Sequence, residues 1–330
     1  MADSNTTKAT SCTAGVRRRN LWAWLSEHYI YAILIVFWIG ASIASPYFRT
    51  TTTFANILIS SVPMALIGLA QTFVVLSRGF DLSVGAVASM ATAVASVTMV
   101  YGVMPSVALV LALAILIGAV NGLGVAKLRI DPFIMTLCMM FFLTGVNLLV
   151  RPSPGGYISD GFQDTLLYQV GEVPLVSVLV LIATGLVGHV VLQRRQFGRD
   201  IYAVGGNPDY ARMSGVNTDR TLVLVYIVSA VAAALGGLFI AARIGSGNAE
   251  AGASYLFDSF TATFMGGTLV SGGVGGYAGT LGAVLIIASI GRILQFLGIN
   301  IWYHFIAKGI LLASVAGLQL YLIRRRRRAR

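Results

Sequence analysis

Apolar residues in this chain come in runs too long and too unbroken for an amphipathic helix or strand. Ten stretches are nearly all apolar over about the 20 residues that a helix needs to cross the hydrocarbon core of a bilayer. They run near 29–45, 54–77, 82–100, 103–124, 132–151, 174–193, 222–242, 256–270, 274–297 and 302–323. The pattern predicts an all-α, polytopic transmembrane bundle of about ten spans. The eighth run is short and ends in glycine. It reads as a partial or re-entrant span, which is stable only where protein covers its open backbone groups. Pro63 lies inside the second run, where it removes a helix hydrogen bond. Small residues recur at four-residue spacing in Gly118/Gly122, Gly272/Gly276 and Gly275/Gly279, a pattern that lets helix backbones approach closely in lipid. Segments 71–99 and 262–290 share a plan of apolar helix, glycine turn and small-residue helix, as in transporters built from repeated halves.

Composition points the same way. Of 330 residues, 57% are hydrophobic and only 11% charged, against about 25% charged in soluble proteins. The net charge of +11 is placed to set topology rather than to bind nucleic acid. With both termini in the cytoplasm, 18 of the 23 Lys and Arg fall on the internal side and three (Arg49, Arg151, Arg243) outside, in line with the positive-inside rule. Segment 152–173 carries Asp160, Asp164 and Glu172 with no basic residue between them, and fits an outer loop. The expected domains are a cytoplasmic tail at 1–28, a permease domain at 29–323 and a basic cytoplasmic tail at 324–330, the last positioned to touch anionic lipid. Arg17 to Arg19 resemble a signal-peptide n-region. The run that follows is long enough to span, and Pro46 is poorly placed for cleavage, so this is read as a retained helix. Cys12 and Cys138 lie far apart and indicate neither a disulfide nor a metal site.

The usual signatures of chemistry are missing. No glycine is followed by lysine and then serine or threonine, so ATP is not held here by a phosphate-binding loop. The glycine run 272–276 lacks the strand and helix of a dinucleotide site. No catalytic residue, metal ligand or cofactor is assigned. The 12 acidic residues fall in tails, loops or helix ends, which argues against an ion-coupled carrier. Arg292 and Lys308 fall within spans, each within roughly 9 Å of an outer helix end at the helical rise. Two readings stand for them: snorkelling to the interface or a role in a pathway.

The internal loop 194–221 is the sharpest local feature. Asn207 is a good N-cap, Pro208 suits the first helical position, Asp209 favours the positive helix start, and Gly215 suits a left-handed stop. These signals predict a short helix at 208–214, read either as a docking element for a soluble partner or as an ordered loop. Between the second and third runs, Gly79 permits a tight turn, and Asp81 is placed to accept amide hydrogen bonds from Ser83 or Val84. Capping is one reading of Asp81; ion or substrate contact is the other. Gln71, Thr72, Ser89, Asn121, Asn147 and Thr263 are polar residues within or near spans, candidates for a weakly polar pathway or equally for interhelical glue.

Gly79-Phe80-Asp81-Leu82-Ser83-Val84-Gly85 resembles the G-I-D-L-S-V-G signature of ribose- and xylose-type ABC sugar permeases. Asn121-Gly122 with Lys127 to Ile130, Pro132-Phe133-Ile134 and Thr136-Leu137 resemble that family's next block. Gly198-Arg199 through Gly215, with Ala203 to Asn207 and Ala211-Arg212-Met213-Ser214-Gly215, resembles its cytoplasmic block. Gly266-Gly267-Thr268, Gly272-Gly273 and Gly279 to Ala283 resemble the last. The likeness covers roughly 50–320 with spacings intact. Arg78 and Phe80 depart from it, standing where the family usually has a small residue and a branched aliphatic one; Phe264 and Leu269-Val270 also differ.

The resemblance implies a permease subunit that moves a monosaccharide, a ribose-like pentose or related sugar, across the inner membrane by alternating access. It implies a second copy of the permease and an ATP-binding subunit that binds and hydrolyses the nucleotide. It also implies a periplasmic or tethered sugar-binding protein. Asn207, Pro208, Asp209, Ala211, Arg212, Met213, Ser214 and Gly215 would then couple to the ATPase, and Gly79, Asp81, Ser83 and Gly85 form a structural motif. An ion-coupled secondary carrier or exporter of a small polar solute is the alternative, and a membrane scaffold or receptor a third class.

Overall fold

The computed structural model describes residues 30–328. The tail at 1–28 expected from the sequence lies outside the described residues. Thirteen α-helices follow one another. They are α1 (Ile30–Ala44), α2 (Thr51–Leu76), α3 (Val84–Thr98), α4 (Val103–Ala126), α5 (Pro132–Val150), α6 (Asp160–Leu166) and α7 (Leu175–Arg194). Then come α8 (Gln196–Gly206), α9 (Pro208–Met213), α10 (Thr218–Ile244), α11 (Ala253–Met265), α12 (Tyr277–Phe296) and α13 (Ile301–Arg328). Among the described residues there is no strand, only the isolated bridges Gly155–Gly247 and Val170–Val173.

Among the described residues seven segments are long and apolar enough to cross a membrane: α2, α3 with its extension to Tyr101, α4, α5, α7, α10 and α12. The described part of α1 and the apolar stretch Phe305–Gly317 of α13 are shorter. The short eighth run is α11, which stops at Met265 before a glycine-rich loop. The helix α13 continues through Arg328 and takes in the basic residues 324–328.

Helix ends follow from local chemistry. Asp131 accepts hydrogen bonds from the Phe133 and Ile134 amides, and Pro132 opens α5. Asn217 caps α10 through the Arg220 amide, and Gly245 closes it in the left-handed region at φ 65°.

Burial sorts the helices into an inner and an outer set. The membrane-length windows of α2, α3 and α10 are 89%, 78% and 67% buried, whereas those of α4, α5 and α7 are 22–28% buried and present their apolar side chains outward. Lipid tails compete with apolar side chains, so close packing rather than the hydrophobic effect joins such helices. The Gly118/Gly122 pair supplies it. A Cβ on Gly118 would stand 2.6 Å from the Ile227 Cα, and one on Gly122 2.7 Å from the Val223 Cα. The helix α4 thus lies directly on the α10 backbone.

The loops gather at two ends. At one end the Gly273 amide donates to the Leu76 carbonyl at 2.9 Å, Tyr202 Oη donates to the Gly275 carbonyl at 2.7 Å, and Arg129 pairs with Asp219 at 3.1 Å. At the other, Gly155 and Gly247 exchange backbone hydrogen bonds, the Tyr157 amide donates to the Ser96 carbonyl, and the rings of Tyr47 and Phe296 lie 6.1 Å apart.

Candidate functional site

Three arrangements carry polar chemistry inside this apolar frame. The first is the turn between α2 and α3. Its sequence departs from an easy turn at once: Arg78 sits at φ 64°, the left-handed region that favours glycine. Beyond it, Asp81 is buried and accepts from the Ser83 amide (2.9 Å), the Ser83 hydroxyl (2.6 Å) and the Ser229 hydroxyl (2.8 Å). Asn121 donates to the Ser83 hydroxyl at 3.0 Å. Thr136 donates to the Phe80 carbonyl and accepts from the Leu82 amide, and Tyr226 donates to the Phe80 carbonyl. Asp81 therefore takes the Ser83 amide, as its position predicts, and ties α10 to the turn through Ser229, while Ser83 holds α4 and the Phe80 and Leu82 backbone holds α5. Gly79 and Gly85 have no room for a side chain: a Cβ would meet Tyr226 Oη at 2.7 Å and the Gly252 carbonyl at 2.9 Å.

The six polar candidates within the spans are all at most 2% exposed. Thr72 and Thr263 come together with Thr280 where α2, α11 and α12 meet, at 3.5 Å and 2.9 Å from the Thr72 hydroxyl. Ser89 accepts from the Gly252 amide and Asn147 donates to the Ala86 carbonyl, each joining two segments. Gln71 differs from the others. It is fully buried, and among the described residues neither its amide nitrogen nor its amide oxygen has a partner; the Asn121 Oδ1 likewise has none.

The third arrangement is the arm formed by α8 and α9. Asn207 caps α9 through the Asp209 and Tyr210 amides at 2.9 and 3.2 Å, Pro208 occupies the first turn, and Gly215 sits at φ 83°. The helix is Pro208–Met213, with Ser214 just past it. Ala211 faces inward, whereas Tyr210 and Met213 are 69% and 84% exposed. Arg212 turns back, donating to the Thr218 hydroxyl at 2.8 Å and pairing with Asp219 at 3.4 Å. Asp219 also pairs with Lys127 and Arg129 of the loop between α4 and α5. Behind α9 lies a cavity of about 300 Å³ bordered by Arg78, Arg129, Pro208, Asp209 and Arg212. The helix α8 carries the arm onto the bundle. Its Phe197 ring lies 6.4 Å from that of Phe73 on α2, and Ile201 and Val204 are buried. Gly205 packs backbone to backbone on the Leu76 carbonyl, where a Cβ would overlap it. The same carbonyl accepts from Gly273 in the loop between α11 and α12. One peptide group thus joins α2, α8 and that loop.

Some functional residues escape the sequence. Asp258 lies in the second turn of α11 and is buried, with Lys308 Nζ 2.6 Å from its carboxylate. The expectation that all acidic residues sit in tails, loops or helix ends fails here, because α11 begins at Ala253, upstream of the run predicted. Lys308 is paired inside the bundle rather than snorkelling alone. Ser229 and Tyr226 are of the same kind: in the sequence they are only a serine and a tyrosine inside an apolar run.

Buried hydrogen-bonded hubs, an arm at one end and an apolar outer layer define a polytopic membrane protein. Residues 53–316 match the family model described as branched-chain amino acid transport system / permease component. The chain belongs to this permease family and is a multi-pass protein of the inner membrane. It is 34% identical over 312 residues to the ribose import permease protein RbsC of Escherichia coli (strain K12), covering 92% of this chain and 96% of that one. It is 33% identical over 316 residues to the galactose/methyl galactoside import permease protein MglC of Haemophilus influenzae, covering 88% and 94%. With RbsC of Bacillus subtilis (strain 168) it shares 34% over 284 residues, covering 84% and 88%. No solved structure matches the chain.

Proposed function

We propose that this chain is the membrane-spanning subunit of an ATP-binding-cassette importer and carries a monosaccharide across the inner membrane by alternating access. The sugar class rests on the names of the relatives, whose alignments run nearly end to end. ATP is bound and hydrolysed by a separate subunit, and a periplasmic or tethered sugar-binding protein delivers the substrate to a pair of permeases. The chain crosses the membrane ten times with both termini in the cytoplasm. The alternation of loops between two ends and the excess of Lys and Arg at the end that carries α8 and α9 support this topology.

One observation carries the mechanism: the seating of Gly205 on the Leu76 carbonyl, shared with Gly273. In this reading Tyr210 and Met213 face the ATPase, Asn207 and Pro208 set the α9 helix, and Arg212 braces it against Asp219. A push on α9 travels along α8 to the end of α2 and to the loop before α12. These contacts are discrete, as a two-state switch requires. Gln71 and the Asn121 carbonyl oxygen, with unspent hydrogen-bonding capacity, are the pathway residues. Thr72, Ser89, Asn147 and Thr263 hold helices together.

The Asp258–Lys308 pair favours a second reading, since ion-coupled carriers place ionisable residues within the bundle. Reconstitution separates the two. Vesicles holding the chain, its ATPase and its binding protein are expected to accumulate sugar only with ATP, and a Met213→Cys variant to crosslink to the ATPase. Accumulation by the chain alone on an ion gradient overturns the importer reading. Failure to crosslink in active vesicles overturns the docking role of α9.

A further inference from the structure

A cavity of about 230 Å³ opens between α2, α10, α11, α12 and α13, at the end away from the α8–α9 arm. Its charged lining is Arg243, Asp258, Arg292 and Lys308. Asp258 and Lys308 neutralise each other at 2.6 Å. The two arginines have no such partner. Arg243 meets the Tyr255 hydroxyl, and Arg292 donates to Gln295 Oε1 at 3.1 Å, both neutral groups. Among the described residues neither arginine forms an ion pair, yet both line the same cavity. The cavity therefore holds two uncompensated positive charges.

Arg292 is half-buried in a helix that carries no other charged residue. A guanidinium taken partly out of water loses hydration that only an opposite charge with hydrogen-bond acceptors restores. Two forks facing one space match the oxygens of a carboxylate or a phosphate, each able to accept paired N–H groups. The volume exceeds by severalfold the ~30 Å³ share of one liquid water, so it admits more than a lone ion.

We propose that this cavity binds an oxyanion, a carboxylate or phosphate carried on a molecule about the size of a monosaccharide, with Arg243 and Arg292 as its ligands. On the importer reading, on which this identity of the ligand rests, the cargo is an acidic sugar rather than an uncharged one. A phospholipid phosphate would present the same chemistry, because Arg292 stands about one turn from the end of α12.

The test uses the full chain in phosphatidylcholine nanodiscs, with inorganic phosphate and D-galacturonate as probes and D-galactose as the uncharged control. Binding is read by titration and by the rise in unfolding temperature. The oxyanions are expected to bind at least tenfold more tightly than galactose. R243Q and R292Q should each weaken them at least tenfold, and R292K should retain part of the affinity. If the soluble oxyanions fail but phosphatidylglycerol raises the unfolding temperature of the wild type and not of R292Q, the site stands with a lipid headgroup as its anion. No response to any of the three, or a response that R243Q and R292Q leave unchanged, overturns the site. The readout needs neither ATPase nor uptake, so it can fail while ATP-driven transport holds, and the reverse.

Discussion

Gln71 and Asp81 show how differently this bundle treats buried polar groups. Each of the two carboxylate oxygens of Asp81 accepts at least one hydrogen bond, so its burial is offset by the network around it. Gln71 is equally buried and has no partner among the described residues. A buried polar group left unmade costs about 1–3 kcal/mol, a cost that folding alone gives no reason to bear. Leucine has nearly the size of glutamine without its polar atoms. Gln71→Leu is therefore expected to stabilise the protein by on the order of 1–3 kcal/mol, read as a higher unfolding temperature in detergent, while lowering sugar uptake severalfold. A variant that unfolds more easily would show that Gln71 is satisfied in the protein. Unchanged uptake would remove it from the pathway.

At the scale of elements, the caps and turns were legible because they are local. Asn207, Pro208 and Gly215 announce α9 within nine residues, and the structure uses each as its chemistry dictates. The helix α8 also had a signal, since Phe197, Ile201 and Val204 recur at helical spacing, but it was short beside the long apolar runs. What local pattern does not carry is pairing. Asp258 and Lys308 lie 50 residues apart, and only the packing of α11 on α13 makes their charges one unit. The seat of α8 on α2 is of the same kind: Gly205 reads as an ordinary glycine until the Leu76 carbonyl is seen against it. Gly205→Ala would force α8 away from that carbonyl, a strain of about 1–3 kcal/mol, without touching Tyr210 or Met213. The expected outcome is a permease that still binds its ATPase but moves less sugar per ATP hydrolysed. The ratio measured in proteoliposomes checks it, and an unaltered ratio would mean that force takes another route.

For the whole molecule, orientation decides whether these parts form a machine. The arm acts on an ATPase only if α8 and α9 lie in the cytoplasm, and the arginine-lined cavity meets incoming solute only if it opens on the opposite side. Charge supplies the argument. Arg78, Lys127, Arg129, Arg194, Arg195, Arg199, Arg212 and Arg220 cluster around the arm, while the far end holds Arg49, Arg151, Arg243, Arg292 and Lys308. Of these, Arg151 is spent on Ser96, donating to its hydroxyl at 3.1 Å and its carbonyl at 3.3 Å. Retention of basic loops in the cytoplasm thus favours one orientation. Tyr168 and Met213 are well exposed at the two ends, so single cysteines there report it directly. In a background with Cys12 and Cys138 replaced by serine, a membrane-impermeant maleimide applied to spheroplasts should label Tyr168→Cys at once and Met213→Cys only after permeabilisation. Labelling in the reverse order would put the arm on the side without ATP and end the importer mechanism. Labelling of both from outside would break the alternation of ends on which ten crossings depend.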